Sequence, residues 1–193
     1  MDREKMIDGL RQFLSAFGDQ LAGEDLELIA GKVADAWSTE LLAGYHERPE
    51  EILASSWTES DTDMVLMRDI DLVSICNHHL LPFVGKAQIA YVANQKIVGL
   101  SKLARLAQCF ARRLQTQERL TNQIATALME ELEPRGAACV IEAEHLCVLA
   151  RGVKQRDSRV VTMAFRGVFQ DDPAYRERFF ALIGSTQRKV SHL

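Results

Sequence analysis

The sequence has 193 residues, of which 47% are hydrophobic and 26% are charged, a composition that builds one ordinary folded domain or two small ones and excludes a disordered or fibrous chain. Its 23 basic and 27 acidic residues give a formal net charge of −4, which argues against a general nucleic-acid binder and leaves room for a local basic pocket. No apolar run approaches the roughly 20 residues that cross a bilayer, and residues 1–5 lack the apolar core of a signal peptide. We therefore expect a cytoplasmic protein with neither nucleic-acid nor membrane partners.

The amino-terminal part of the chain has the pattern of two helices. Apolar side chains recur every three or four residues over 3–17, which predicts a helix with one buried stripe. The segment from Gly18 to Gly23 interrupts this pattern, and a second helix is predicted over about 25–42. The Ser- and Thr-rich residues 55–62 are predicted to form a loop. We therefore predict a helical segment and loop over 1–63, followed by a second unit over 64–193.

The pattern changes to that of strands after residue 63. Alternation of apolar and polar residues, or a short apolar run, predicts four strands, over 64–72, 86–92, 137–149 and 159–169. The parity of the apolar positions changes between Met67 and Ile70, which indicates a β-bulge in the first of these strands.

Two helices are predicted between the second and third strands. Ser101 is the candidate N-cap of the first and Thr116 of the second, which ends at Pro134. A last helix is predicted from about Pro173. This order of elements predicts an α+β fold, with an antiparallel four-stranded sheet and two helices on one of its faces, preceded by the amino-terminal helical segment.

Cysteine and histidine cluster at two places in this sequence, which contains four cysteines and five histidines. The first cluster is Cys76-Asn77-His78-His79. Cys76 and His79 have the short spacing of a zinc half-site and offer the thiolate and imidazole donors that Zn²⁺ prefers. A buried thiol beside hydrogen-bonded histidines accounts for the same spacing equally well, so this cluster alone leaves both interpretations open.

The second cluster contains His145 and Cys147. It falls in the predicted strand 137–149, where residues two apart project from the same face. That face is otherwise apolar, and the pattern predicts that it ends in an imidazole and a thiol.

Together the clusters offer the composition of a catalytic zinc site. Cys76, His79 and Cys147 are three plausible ligands, and three protein ligands plus water are typical of catalytic rather than structural zinc. His78 and His145 remain to move protons near neutral pH. About seventy residues separate the clusters, so the hypothesis requires the fold to bring them together.

Candidate anion- and base-binding residues lie at the starts of the two central helices. Lys102 and Arg105 are three residues apart, where free N–H groups and the helix dipole also favour an anion, although a solvated basic face is the usual role of such a pair. Glu118, next to Gln117, either complements the dipole of the following helix or accepts two parallel N–H bonds, a geometry that guanine offers.

These motifs resemble the GTP cyclohydrolase I family. The resemblance is carried, in order and at family-like separations, by residues 74–83, 97–105, 115–121 and 144–153. It covers about 64–184, weakens over 25–53 and is absent before that. It implies that 64–193 form a tunnelling-fold (T-fold) catalytic domain, and that the chain assembles into a ring-shaped homo-oligomer with active sites between subunits.

The resemblance also implies a reaction. The family hydrolyses the imidazole ring of GTP at C8, releases formate and recloses the product to 7,8-dihydroneopterin triphosphate, a step of pterin and tetrahydrofolate biosynthesis. Zinc would be held by Cys76, His79 and Cys147, and His145 and His78 would act as acid and base.

The substrate contacts follow from the same resemblance. Guanine would be held by Glu118 and the backbone of Gln117. The ribose triphosphate end would be held by Ser101, Lys102, Arg105 and Arg151.

The chain departs from the family pattern at several positions. Asn77 stands where most relatives have Glu, which removes a charge beside the expected metal. Asp35 stands where the family has a Lys that reaches a neighbouring subunit's phosphates, and Met163 where relatives often carry Ser. The Thr-Pro that begins the family's second helix is also missing.

Two alternatives to a GTP-specific enzyme stay open. The first, motivated by Asp35 and Asn77, is a diverged paralogue that acts on another guanine nucleotide or stops at a ring-opened intermediate. The second belongs to another class: a catalytically silent ring subunit, or a pterin-responsive binding protein, that keeps zinc for stability.

Overall fold

The computed structural model describes residues 1–18, 23–59 and 63–184. The helices are α1 (Arg3–Ser15), α2 (Glu24–Ala36), α3 (Pro49–Leu53), α4 (Leu100–Ala111), α5 (Gln117–Leu132), α6 (Leu146–Leu149), α7 (Val168–Asp171) and α8 (Pro173–Gly184). A π-helical turn (Trp37–Leu41) and a 3₁₀ turn (Ala43–His46) lie between α2 and α3. The strands are β1 (Ser56–Thr58), β2 (Met64–Cys76), β3 (Pro82–Val92), β4 (Lys96–Val98), β5 (Leu114–Gln115), β6 (Gly136–His145) and β7 (Val160–Gly167). None of the described helices combines the length and the apolar character that crossing a bilayer requires.

The two amino-terminal helices pack against each other and are linked by ion pairs. Arg3 of α1 binds both carboxylate oxygens of Asp35 in α2, at 2.6 and 3.1 Å. No residue of α1 is buried, and Phe13 and Phe17 keep 63% and 58% of their surface exposed. The predicted first helix is therefore present, but the described chain does not bury its apolar stripe.

Two other amino-terminal predictions, the break between the helices and the loop over 55–62, are not confirmed. The predicted break between the helices falls largely on residues 19–22, which lie outside the described residues. The predicted loop over 55–62 contains a strand, because Ser56–Thr58 pair antiparallel with Lys96–Val98 in a small two-stranded sheet. Residues 60–62 of that loop lie outside the described part of the chain.

The main sheet has the strand order β5-β2-β3-β6-β7. Its four long strands, β2, β3, β6 and β7, are antiparallel neighbours. The fifth, the two-residue β5, runs parallel to the end of β2 and pairs with Ile75 and Cys76. The sheet is therefore five-stranded rather than four-stranded as predicted, because a strand of two residues has no period that a sequence pattern could reveal.

The predicted bulge is confirmed. The register between β2 and β3 shifts between Met67 and Ile70, and Asp69 adopts a left-handed backbone conformation with φ of 57°. The side-chain oxygen of Gln88 on β3 accepts a hydrogen bond from the Asp69 backbone N–H at 2.9 Å, so the extra residue is held from the neighbouring strand.

The sheet carries helices on both faces. On one face, α4 and α5 bury leucines and isoleucines against residues such as Ile89 and Ile141. At one end of the opposite face, Phe169 of α7 and Phe179 of α8 pack on Ala90 and its neighbours. The α+β prediction is confirmed, and α7 and α8 add a second, smaller core to the two-helix layer that was predicted.

The two predicted N-caps have opposite outcomes. Thr116 caps α5, since its hydroxyl accepts a hydrogen bond from the Arg119 backbone N–H at 3.2 Å. Ser101 does not cap α4. The helix begins one residue earlier, at Leu100, and Gly99 takes the N-cap position with φ of −58° and ψ of 138°.

Gly85 in β3 allows β3 and β6 to approach closely. A Cβ at this position would overlap the Glu142 carbonyl oxygen and both Cα and Cβ of Ala143. We expect Gly85→Ala to lower the free energy of unfolding by about 1–3 kcal/mol, because backbone atoms of a central strand must move. Urea denaturation measures this. The control is Gly9→Ala in α1, where nothing lies within 4 Å of an added Cβ. Equal denaturation midpoints for the wild type and Gly85→Ala would contradict the prediction.

Candidate active site

Three potential metal ligands converge at one end of the sheet. The ligand atoms of Cys76, His79 and Cys147 all lie within 4.8 Å of one another. A tetrahedral ion bound at about 2.0–2.3 Å holds its ligand atoms about 3.5–3.8 Å apart, so small side-chain rotations bring these three onto one ion. Two thiols and an imidazole are also a donor set that suits a transition metal. The fold therefore brings together the two clusters, which the sequence hypothesis required.

The turn between β2 and β3 positions two of these ligands. Cys76 is the last residue of β2, and its backbone N–H donates a hydrogen bond to the Leu81 carbonyl at 2.9 Å. The backbone N–H of Leu80 donates to the Cys76 carbonyl, also at 2.9 Å. Leu80 has φ of 54°, the left-handed conformation that closes the turn. Pairing of β5 with Cys76 fixes the same strand end from the other side. His79 is therefore carried on a tight turn and Cys76 on a paired strand.

Cys147 lies on a helical turn, not on a strand. The third long strand ends at His145, and Leu146–Leu149 form α6. The prediction that His145 and Cys147 share a strand face is therefore wrong. Burial and the neighbouring Cys76 sulfur raise the pKa of the Cys147 thiol. A cation between the two sulfurs opposes both effects, since it stabilises the thiolates.

The His145 ring is held on two sides. It pairs with Phe83 across β3 and β6 and stacks on it, with ring centroids 4.6 Å apart and an interplanar angle of 8°. Its Nε2 lies 2.7 Å from Oε1 of Gln117. Burial lowers the pKa of His145, and the nearby Glu118 carboxylate opposes this shift. Burial therefore favours the neutral form of the ring.

His78 and Arg151 border the metal-ligand cluster. His78 is exposed, and its Nδ1 lies 3.8 Å from the Cys76 sulfur. Arg151 donates from Nη1 to Nε2 of His79 at 2.7 Å. A positive charge therefore stands beside the cluster, on the loop that follows α6.

Ser101, Lys102 and Arg105 occupy the first turns of α4. Ser101 and Arg105 are exposed, and Lys102 is half-buried. No side chain caps the amino terminus of α4, so free N–H groups remain there to attract an anion. Within the described residues, no hydrogen bond or ion pair joins these three side chains to the metal-ligand cluster. Their grouping with the cluster stays a prediction.

Gln117 and Glu118 open α5 but differ in environment. Gln117 is buried, with 1% of its surface exposed, whereas Glu118 is exposed. The Gln117 side chain points into the sheet and reaches His145. Glu118 remains accessible to a ligand from solvent.

Three residues around His145 are not indicated as functional by the sequence pattern. Phe83 stacks on the imidazole, and the hydroxyls of Thr121 and Thr162 lie 2.6 Å apart beside Gln117. The contact between Phe83 and His145 follows once the register of β3 and β6 is known. No pattern in the sequence, however, indicates the direction of the Gln117 side chain.

The chain matches a known protein family over most of its length. The sequence model of the family described as GTP cyclohydrolase I matches residues 6–184. The chain belongs to the GTP cyclohydrolase I family. It is therefore a member of an enzyme family, and the match corrects our expectation that the resemblance is absent before residue 25. The α1–α2 hairpin falls within the family's sequence.

Relatives named GTP cyclohydrolase 1 cover nearly the whole chain. The one from Synechococcus sp. (strain JA-2-3B'a(2-13)) is 48% identical over 92% of this chain and 78% of its own. The one from Carboxydothermus hydrogenoformans is 48% identical over 95% and 96%, and the one from Campylobacter jejuni subsp. jejuni 45% over 96% and 98%. Among solved structures, apo archaeosine synthase QueF-Like superposes on 56% of this chain and 97% of its own, with a TM-score of 0.46 and 10% identity, too distant to carry an argument.

Proposed function

We propose that this protein is a zinc-dependent GTP cyclohydrolase, which opens the imidazole ring of GTP at C8, releases formate and recloses the product to 7,8-dihydroneopterin triphosphate. The observation that carries the proposal is the convergence of Cys76, His79 and Cys147 within 4.8 Å, in a chain that belongs to this family. Two sulfur donors and one imidazole favour zinc, and three protein ligands leave one coordination position open. When bound, zinc lowers the pKa of water at that position and so supplies a nucleophile near pH 7.

Two histidines supply acid and base in this proposal. Addition of water to C8 requires removal of a proton, and cleavage of the ring requires a proton on the departing nitrogen. His145 is half-buried, which favours its neutral form, and its ring is held by Phe83 and Gln117, so it suits a base. His78 is exposed beside Cys76 and can exchange protons with solvent, which suits the acid.

In this proposal, charged residues at the starts of α4 and α5 and beside His79 would bind the two ends of GTP. The exposed carboxylate of Glu118 can accept the parallel N–H bonds of guanine, with the Gln117 backbone beside it. The triphosphate would meet Lys102 and Arg105 at the uncapped start of α4, where Ser101 adds a hydroxyl, and Arg151 beside His79.

A tunnelling-fold catalytic domain over 64–193 and a ring-shaped homo-oligomer complete the proposal. In the described chain, β7 pairs on one side only, and β5 covers only the end of β2. Such open edges favour pairing with another copy, and Val161 and Met163 on β7 are about half exposed. The unburied stripe of α1 in the amino-terminal segment, 1–63, offers a further contact between copies.

Asp35 bears on the alternative of a changed phosphate requirement. Its carboxylate is bound at both oxygens by Arg3, and this guanidinium lowers the pKa of Asp35. The two charges offset each other within the hairpin. The negative charge that replaces the family's Lys is therefore compensated inside the same chain, which weakens the repulsion of a triphosphate that an unpaired Asp35 would cause.

The deciding experiment is turnover of GTP, GDP and GMP with zinc present, followed by formate and by pterin fluorescence after oxidation. We expect both signals with GTP and a clear preference for it. Equal rates on GDP or GMP would indicate a diverged paralogue, and formate without a pterin would indicate a reaction that stops early. No turnover of any of the three would support a silent subunit.

A further inference from the structure

The side chain of Gln117 connects three elements around the active site. Its amide nitrogen lies 3.0 Å from the Ile141 carbonyl oxygen, 2.9 Å from the Val160 carbonyl oxygen and 3.1 Å from the Thr162 hydroxyl. Carbonyl oxygens only accept hydrogen bonds, so the end of the amide that faces them must be the NH₂ group. The opposite end, 2.7 Å from Nε2 of His145, is therefore the oxygen.

The neighbouring hydroxyls are compatible with this orientation of the amide. The Thr121 hydroxyl donates to the Gln117 backbone carbonyl at 2.7 Å and has no second hydrogen to give. At the 2.6 Å contact with Thr162, the Thr162 hydroxyl is consequently the donor. The two hydrogens of the Gln117 amide are then shared among three acceptors, the Ile141 and Val160 carbonyl oxygens and the Thr162 hydroxyl. Every donor in this buried network has an acceptor. Reversal of the amide would instead place the Gln117 side-chain oxygen against the carbonyl oxygens of Ile141 and Val160, where no hydrogen is available.

This network determines which nitrogen of His145 carries its hydrogen. An amide oxygen only accepts, so Nε2 of His145 must be the donor across the 2.7 Å contact. In the neutral ring, Nδ1 is then without a hydrogen. Stacking on Phe83 fixes the ring plane, and within 1–18, 23–59 and 63–184 no residue provides a hydrogen-bond partner for Nδ1.

We propose that the Gln117 side chain is a positioning residue, which holds the His145 ring with its hydrogen on Nε2 directed at the amide oxygen and so leaves Nδ1 as the nitrogen that faces the guanine nucleotide. This inference rests on the proposed function. Any proton that His145 exchanges with the nucleotide then passes through Nδ1, while the Nε2 hydrogen stays bonded to Gln117. The side chain of Gln117 thus acts through His145, separately from the backbone of Gln117 that would contact guanine.

A variant at position 117 separates positioning from a merely structural role. Gln117→Met keeps the length and the backbone of the residue but loses both ends of the amide. We expect kcat for GTP to fall about 10- to 100-fold, as for other residues that orient a catalytic group. We expect KM to change less than about threefold, because the backbone contact remains, and bound zinc to be unchanged. The matched control is Gln123→Met, six residues further along α5, where the side-chain oxygen accepts from Gln115 and forms no hydrogen bond with His145. Its kcat should equal that of the wild type.

Solid-state NMR of the zinc-loaded protein with ¹⁵N-labelled histidine tests the tautomer directly, whether or not Gln117→Met folds. Loss of one pair of ring signals in His145→Gln assigns the residue. At a pH where the ring is neutral, we expect hydrogen on Nε2 in the wild type and a mixture of tautomers in Gln117→Met. Hydrogen on Nδ1 in the wild type, or an unchanged kcat in folded Gln117→Met, would overturn the inference. Wild-type protein that turns over no GTP would instead remove the proposed function, and the NMR result would still stand on its own.

Discussion

Replacing Cys76 with serine is expected to abolish zinc binding and GTP turnover together. The cysteine ends β2 and contributes one of three ligand atoms that lie within 4.8 Å of one another. A serine hydroxyl is a harder and far less acidic donor than a thiol, so the remaining Cys147 and His79 form only a two-ligand site. We expect bound zinc to become undetectable after dialysis, and kcat to fall on the order of 10³-fold or more, because the ion that would activate water is lost. Metal analysis of purified protein and formate release measure the two effects.

The control for this substitution is Cys139→Ala. Cys139 is fully buried in β6, and burial strongly raises the pKa of its thiol, so it is not a metal-binding thiolate. Its removal should leave the zinc content and kcat unchanged, although the small cavity can lower stability. Cys147→Ser should reproduce Cys76→Ser, since the two sulfurs serve one ion. Stoichiometric zinc in the Cys76→Ser protein would show that the ion, if present, is held elsewhere, and the central hypothesis would be lost.

The parts of the fold that could be predicted from the sequence depend on residues that are close together along the chain. The α5 cap at Thr116 is a side chain bonding to a backbone three residues ahead, and the bulge between Met67 and Ile70 is a change of parity within one strand. The half-site at Cys76 and His79 is local in the same way, because one tight turn holds both residues. Each of these follows from the spacing of a few residues along the chain.

The parts that could not be predicted depend on contacts between distant segments. The turn of helix at Leu146–Leu149 is too short to show a period, so Cys147 was expected on a strand. The strand Leu114–Gln115 exists only because it pairs with the end of β2. The orientation of the Gln117 amide depends on carbonyls of β6 and β7 that the β6–β7 register sets. A residue pattern contains the candidates for such a site, whereas its geometry arises only when the sheet is assembled.

Replacing His145 with glutamine is expected to separate proton transfer from metal binding. Glutamine keeps a polar side chain of similar reach but cannot accept and return a proton at neutral pH. We expect kcat for GTP to fall about 10²- to 10⁴-fold, the range for loss of a general acid or base. Bound zinc should remain stoichiometric, because His145 is not among the three converging ligand residues. Formate release and metal analysis on the same preparation give both values.

The comparison with a second histidine makes this result specific. His46 lies exposed in the 3₁₀ turn after α2, far along the chain from the cluster, and His46→Gln should leave kcat and zinc content at their wild-type values. If His145→Gln instead loses its zinc together with its activity, His145 supports the cluster rather than the chemistry. If it keeps a wild-type kcat, the base must be another group. Phe83 and Gln117 hold the His145 ring in a fixed orientation. We therefore expect His145→Gln to lose activity and His46→Gln to keep it.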